Sequence, residues 1–209
     1  MLGYLACVLI AAVLTLADRM GVFGRRGQSR PGSYRPDAAA VARNNASDLR
    51  TYQGKSFRVT HVVDGDTLDV GVRDEVLGKD FTRIRLWGVD TPETVKPKTS
   101  EQHFGPEATR FTKRFCQGKT VRLELVKSRN TRGKYGRLLA YVLGPEGDCL
   151  NAELIGQGYG YSDPRFPHPR KAEFVDLQNK ARQSRAGLWA SVRQTDLPYY
   201  YQGKITLGR

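Results

Sequence analysis

The chain has 209 residues, 39% hydrophobic and 26% charged, and its 34 Lys and Arg outweigh 21 Asp and Glu for a net charge of +13. That composition excludes a wholly disordered chain; a single long apolar run excludes a multi-span membrane protein; three cysteines with no CxxC pair exclude a disulfide scaffold and a thiolate zinc site. The positive balance favours polyanionic partners, nucleic acid or anionic lipid, by concentrating them at the surface.

Leu2 to Ala17 is sixteen residues without a charge. It falls between a short membrane span and a signal-peptide core, since a span takes about 20 apolar residues. Residues 1–17 therefore read as a membrane anchor or signal peptide. Arg19, Arg25, Arg26 and Arg30 follow, and the positive-inside bias sets them on the cytoplasmic side. Residues 18–53, rich in Gly, Pro, Ser and Arg and without apolar periodicity, read as a flexible linker. Asn45-Ala46-Ser47 within it is a glycosylation sequon. Residues 18–50 hold seven Arg and three Asp, which leaves +9 for residues 51–209. The folded part is thus basic in its own right.

Residues 54–190 carry the periodicity of a folded domain. Phe57, Val59, His61 and Val63 alternate as one strand, and Leu68, Val70 and Val72 as the next, around a turn at Asp64-Gly65-Asp66. TRIRLWGVD predicts a third strand, with Ile84 and Leu86 on one face and Arg83, Arg85, Trp87 and Val89 on the other. GPEATRFTKRFCQG predicts a helix with Pro106 in its first turn, Ala108, Phe111 and Phe115 on one face, and Gly118 at its end. KTVRLELV and GRLLAYVL predict two more strands. LNAELIGQG predicts a short helix, and RKAEFVDLQNKARQSRAGLW a longer one facing inward through Ala172, Val175 and Ala181. Cys116 and Cys149 read as buried or free thiols. The order of elements is that of an α+β domain built on a small barrel. Residues 191–209 form a tail whose Tyr199, Tyr200 and Tyr201 either pack back on the domain or stay disordered.

Three clusters carry chemistry. Asp64-Gly65-Asp66-Thr67 places carboxylates at a hairpin turn. Arg85 lies in a strand that runs to Asp90, Thr91 and Glu93, with Pro92 fixing the turn. Carboxylates at a strand end suit a hard cation, which takes several oxygen ligands at about 2.3–2.6 Å. Lys134-Tyr135-Gly136-Arg137 opens another strand, and a guanidinium there can fork onto two phosphate oxygens.

In this order DGDT, RLWGVDTPE, FGPEATRFTK, KYGRLLAY and the NAEL and GQG of LNAELIGQG resemble staphylococcal-nuclease (thermonuclease) domains, over about Ser56 to Ala190. The resemblance implies a five-stranded OB-type barrel with three helices. It also implies Ca²⁺-dependent hydrolysis of DNA and RNA to 3′-phosphate ends, with single-stranded or locally unpaired substrate preferred and a monomeric enzyme. Asp66 and Asp90 match the metal-binding carboxylates and Thr91 the carbonyl ligand; Asp64 matches an acidic position near the metal's waters. Arg85 and Arg137 match the phosphate-binding arginines, Glu93 the general base, and Lys134 and Tyr135 the flank of the terminal phosphate. The segment YSDPRFPHPR departs from the pattern, which leaves Tyr161 and Phe166 as candidate stacking residues. Two other classes compete: a nucleic-acid-binding module without catalysis, and a scaffold tethered to membrane through residues 2–17. The full set Asp66, Arg85, Asp90, Glu93 and Arg137 favours the enzyme. Dependence on Ca²⁺ favours an anchored or secreted domain outside the cytoplasm.

Overall fold

The computed structural model describes residues 34, 36–94, 102–127 and 130–207. The apolar run and most of the loop after Glu93 lie outside them. No helix among the described residues is long and apolar enough to cross a membrane.

The linker expected over 18–53 is not all linker. Ala38–Tyr52 forms helix α1, capped by Asp37, whose Oδ1 accepts from the Ala40 amide at 2.6 Å. Its sequence is polar and alanine-rich, so it shows no broad apolar stripe. It is held by two buried residues, Asp48 and Tyr52, not by a face. The sequon asparagine lies in this helix. Its carboxamide oxygen accepts from the Thr131 amide and hydroxyl, at 3.0 and 2.9 Å.

Five strands close a barrel: β1 (Ser56–Val62), β2 (Thr67–Val70), β3 (Thr82–Leu86), β5 (Thr120–Glu124) and β6 (Leu138–Leu143), in the order β1-β2-β3-β6-β5 with β5 returning to β1. All pairings are antiparallel except β3 with β6. The α+β barrel is as expected. Two strand readings change. A bulge between Val59 and His61 shifts the phase of β1, so Val62 is buried while His61 is exposed. The strand predicted over TRIRLWGVD breaks after Leu86. Gly88 takes φ +76°, and Val89–Asp90 become a separate strand β4, paired with β7 (Tyr161–Ser162).

Helices α2 (Gly105–Cys116), α3 (Leu150–Gly156) and α4 (Lys171–Gln183) pack on the barrel. The inward face of α4 is Phe174, Gln178 and Ala181; Ala172 is exposed, one step out of the expected phase. Asn151, buried in α3, accepts from the Val142 amide and donates to the carbonyls of Trp87 and Ala140. It thereby fastens the broken end of β3 to β6. Cys116 and Cys149 are buried free thiols.

The expected tail boundary at residue 191 does not hold. Leu197, Tyr200, Tyr201 and Ile205 are buried with Tyr161, Ala181, Leu188 and Trp189 in a second apolar cluster. The segment packs back on the domain, because the rings of Tyr200 and Tyr201 with Leu197 and Ile205 remove more apolar surface from water than their ordering costs, while Tyr199 stays exposed.

Candidate active site

A cleft of about 750 Å³ opens where β2 begins, β3 and β4 end, and the loop before β6 runs past them. Its wall includes Asp64, Asp66, Arg85, Asp90, Thr91, Glu93, Lys134, Tyr135 and Arg137. Every residue of the three clusters proposed from sequence is therefore in one hollow, although the clusters are apart along the chain.

The β2 turn is shaped by what surrounds Gly65. A β-carbon there would lie 2.7 Å from Thr91 Oγ1 and 2.9 Å from the Ala108 β-carbon, so only glycine fits. The Thr112 hydroxyl of α2 donates to the Gly65 carbonyl at 2.6 Å and pins the turn to the helix. Asp64 Oδ1 accepts from the Asp66 amide at 3.1 Å, an Asx turn. Burial raises the Asp64 carboxyl above its ordinary value, opposed by the charge of Arg85, a hydrogen bond to Thr67 and the charge of Arg137.

Asp66 is 5% exposed. Its Oδ2 accepts from the Thr91 amide at 2.9 Å and the Thr91 hydroxyl at 3.2 Å, and its Oδ1 from the Thr67 hydroxyl at 3.1 Å. Arg85 bridges the two carboxylates: Nη1 is paired with Asp66 Oδ1, and Nη2 donates to Asp90 Oδ1 at 2.7 Å. Because one guanidinium spans both oxygens, Asp66 and Asp90 are organised around a single positive charge. Arg137 Nη1 reaches the Thr67 hydroxyl at 3.4 Å and so borders the same centre. Burial, and then the neighbouring Arg85 charge, lower the Arg137 pKa, yet a guanidinium stays charged at any working pH. Lys134 and Arg137 lie over the Tyr135 ring, at 4.8 and 5.7 Å from its centre.

The model of the family described as staphylococcal nuclease homologue matches residues 83–191. A thermonuclease of Staphylococcus intermedius is 37% identical over 151 residues, 70% of this chain and 82% of that protein. A thermonuclease of Staphylococcus hyicus is 37% identical over 150 residues, with the same coverage of both chains. An uncharacterized endonuclease of Escherichia coli O157:H7 is 32% identical over 139 residues, 64% of this chain and 76% of that protein. The chain belongs to the staphylococcal nuclease homologue family.

In this nuclease homologue the metal question reduces to donor chemistry. Among the described residues no group of three or more His, Cys, Asp or Glu side chains converges as a metal site. The cleft does offer two carboxylates at one point and no sulfur or imidazole ligand in its wall. That all-oxygen set fits a hard divalent cation that fills its shell from backbone, water and substrate oxygens. Asp66 and Asp90 would hold it. Thr91, expected to offer its carbonyl, is seen here to orient Asp66 through its amide and hydroxyl.

Glu93 sits on the cleft wall with its backbone fixed by Gln102, whose Oε1 accepts from the Glu93 amide at 2.8 Å and whose amide donates to the Glu93 carbonyl at 2.9 Å. Tyr161 does not serve as a stacking residue. It is 3% exposed and packs edge-on against Trp189. Phe166, on the wall and 57% exposed, keeps that possibility.

Sequence reasoning missed three participants. Arg165 Nη2 donates to Asp90 Oδ2 at 3.1 Å, Asp163 holds Arg165 through both carboxylate oxygens, and the Tyr200 hydroxyl donates to Asp90 Oδ2 at 2.7 Å. Asp163-Pro164-Arg165 carries a turn signal, since Asp163 Oδ1 accepts from the Arg165 amide at 3.0 Å. Nothing local to Tyr200 points to a residue 110 positions earlier.

Proposed function

We propose that this chain hydrolyses phosphodiester bonds in DNA and RNA with the help of Ca²⁺, leaving 3′-phosphate ends. Its family membership makes it a nuclease-type hydrolase. The observation that carries the finer reading is the junction of Asp66, Arg85 and Asp90, facing Arg137 and Lys134 across one cleft. Attack on a phosphodiester builds negative charge on oxygens that are already anionic, so fixed cations around the phosphate lower the barrier. A Ca²⁺ on Asp66 and Asp90 would add charge for the phosphate oxygens and polarise a water.

The protein's own groups divide the remaining work. Arg85 and Arg137 fork onto the non-bridging phosphate oxygens, and Lys134 and Tyr135 hold the neighbouring phosphate. The Glu93 carboxylate accepts a proton from the attacking water as its oxygen bonds to phosphorus. The bond from phosphorus to the 5′ oxygen breaks, and that oxygen is protonated from solvent. Phe166, Tyr135 and Tyr199, exposed by 57%, 58% and 71%, surround this region; Arg165 lies 5.8 Å from the ring centres of both Phe166 and Tyr199. Exposed rings beside a phosphate site favour unpaired bases, which can stack on them.

The test is digestion of single-stranded DNA by the purified chain with Ca²⁺ and then with a chelator. Activity should require the cation. Glu93→Gln should lower the rate by about 10²–10⁴-fold with binding retained. Undiminished turnover by Glu93→Gln would remove Glu93 from the mechanism, and hydrolysis that survives the chelator would remove the cation.

A further inference from the structure

The centre takes a contribution from a part of the chain beyond residue 191, where the family match ends. Near Pro198 to Tyr201 the backbone turns back on the domain, and the Tyr200 hydroxyl meets Asp90 Oδ2 at 2.7 Å. Arg165 shares that oxygen at 3.1 Å and is fixed in turn by Asp163. Its guanidinium carbon lies 4.4 Å from the centre of the Tyr200 ring, so the two donors brace each other. Tyr200 is 6% exposed.

Asp90 is therefore held from two directions. Oδ1 is turned to Arg85, while Oδ2 is occupied by Tyr200 and Arg165. A carboxylate left free to rotate presents a cation with a changing oxygen. Donors that secure one oxygen fix the plane and aim the other, which is how groups behind a ligand set its affinity.

We propose that Tyr200 is a positioning residue of this active site: its hydroxyl, with Arg165, fixes the plane of the Asp90 carboxylate, one of the two groups that would hold the cation. The proposal rests on the cation-assisted reading above and extends the working site to the C-terminal segment.

Tyr200→Phe in the full chain removes one oxygen and leaves the ring to pack on Arg165. The control is Tyr201→Phe, which removes a hydroxyl from the same apolar cluster, one that donates to the Ser162 carbonyl at 2.6 Å and does not touch Asp90. Each protein is titrated calorimetrically with Ca²⁺ alone, melted without Ca²⁺, and assayed on single-stranded DNA. For Tyr200→Phe, half-saturating Ca²⁺ should rise about 10-fold. Its kcat should fall, and KM for DNA should change by less than about twofold. For Tyr201→Phe, half-saturating Ca²⁺ should not move, even where the melting midpoint falls. Equal Ca²⁺ affinity in wild type and Tyr200→Phe overturns the proposal, as does an equal loss in both variants, which marks a merely structural role. If Ca²⁺ uptake depends on Tyr200 but the wild type cuts no DNA, the hydrolysis reading fails and the positioning role stands. A wild type that takes up no Ca²⁺ overturns both.

Discussion

Two positions just behind the cleft wall are dictated by the absence or burial of a single group. At Gly65 the crowding by Thr91 and Ala108 leaves no space for a side chain, which is what lets Asp66 lie against the Thr91 amide. His168 packs behind the wall, its Nε2 against Gly88, where a β-carbon would come within 2.5 Å of that nitrogen. The ring shares a 2.9 Å hydrogen bond with the Tyr141 hydroxyl, and Nε2 is buried with no partner among the described residues. Burial, then the Lys171 charge, lowers the His168 pKa below its ordinary value of 6.5. The folded state thus holds the neutral ring. Below about pH 6.5 the unfolded chain takes up a proton that the folded chain refuses, so this contribution to stability is present above that pH and is lost on acidification. Thermal melting at pH 7.5 and 5.5 should show a larger acid-induced drop in wild type than in His168→Gln. Parallel drops would mean that other groups govern the acid limb.

Helix α1 acts through charges that have no water around them. Arg132 donates to both oxygens of Asp48, Nε to Oδ2 at 2.9 Å and Nη2 to Oδ1 at 2.7 Å, and through Nη1 to Asp74 Oδ2 at 2.7 Å and the Gly136 carbonyl at 2.9 Å. All three side chains are at most 3% exposed. Arg132 begins the loop that carries Lys134, Tyr135 and Arg137, so α1 and the loop after β2 hold this basic side of the cleft. Arg132→Ala would strand two buried carboxylates and should cost about 3–5 kcal/mol in urea unfolding. A loss below about 1 kcal/mol would show that water reaches the triad. This is also where the sequence was least legible. The barrel strands announce themselves by alternation, and the acidic and basic clusters by their order. Helix α1 has no apolar period to read, Asp48 looks like any linker aspartate, and Tyr200 looks like one ring in a tyrosine run. Their roles come from partners 84 and 110 positions away. A local pattern holds no trace of a contact at that range, and the β1 bulge likewise follows from pairing with β2 and not from any residue of β1 itself.

Across the whole molecule the net charge is +13, and the cleft wall sets Arg85, Lys134 and Arg137 among its carboxylates, so a nucleic-acid strand bound there would meet fixed cations. Affinity for single-stranded DNA should fall linearly on a log–log plot against salt, with a slope of about −0.7 per phosphate neutralised. Lys134→Ala should make that slope shallower by about 0.7, measured in a metal-free chain to suppress cleavage. An unchanged slope would place Lys134 off the path of the strand. The contact between Tyr200 and Asp90 ties the two apolar clusters of the domain to one carboxylate, since Tyr200 belongs to the second cluster while Val89, beside Asp90, belongs to the first. Loosening the C-terminal segment by truncating a distant apolar side chain of that second cluster should therefore be felt at Asp90 as well as in the melting midpoint.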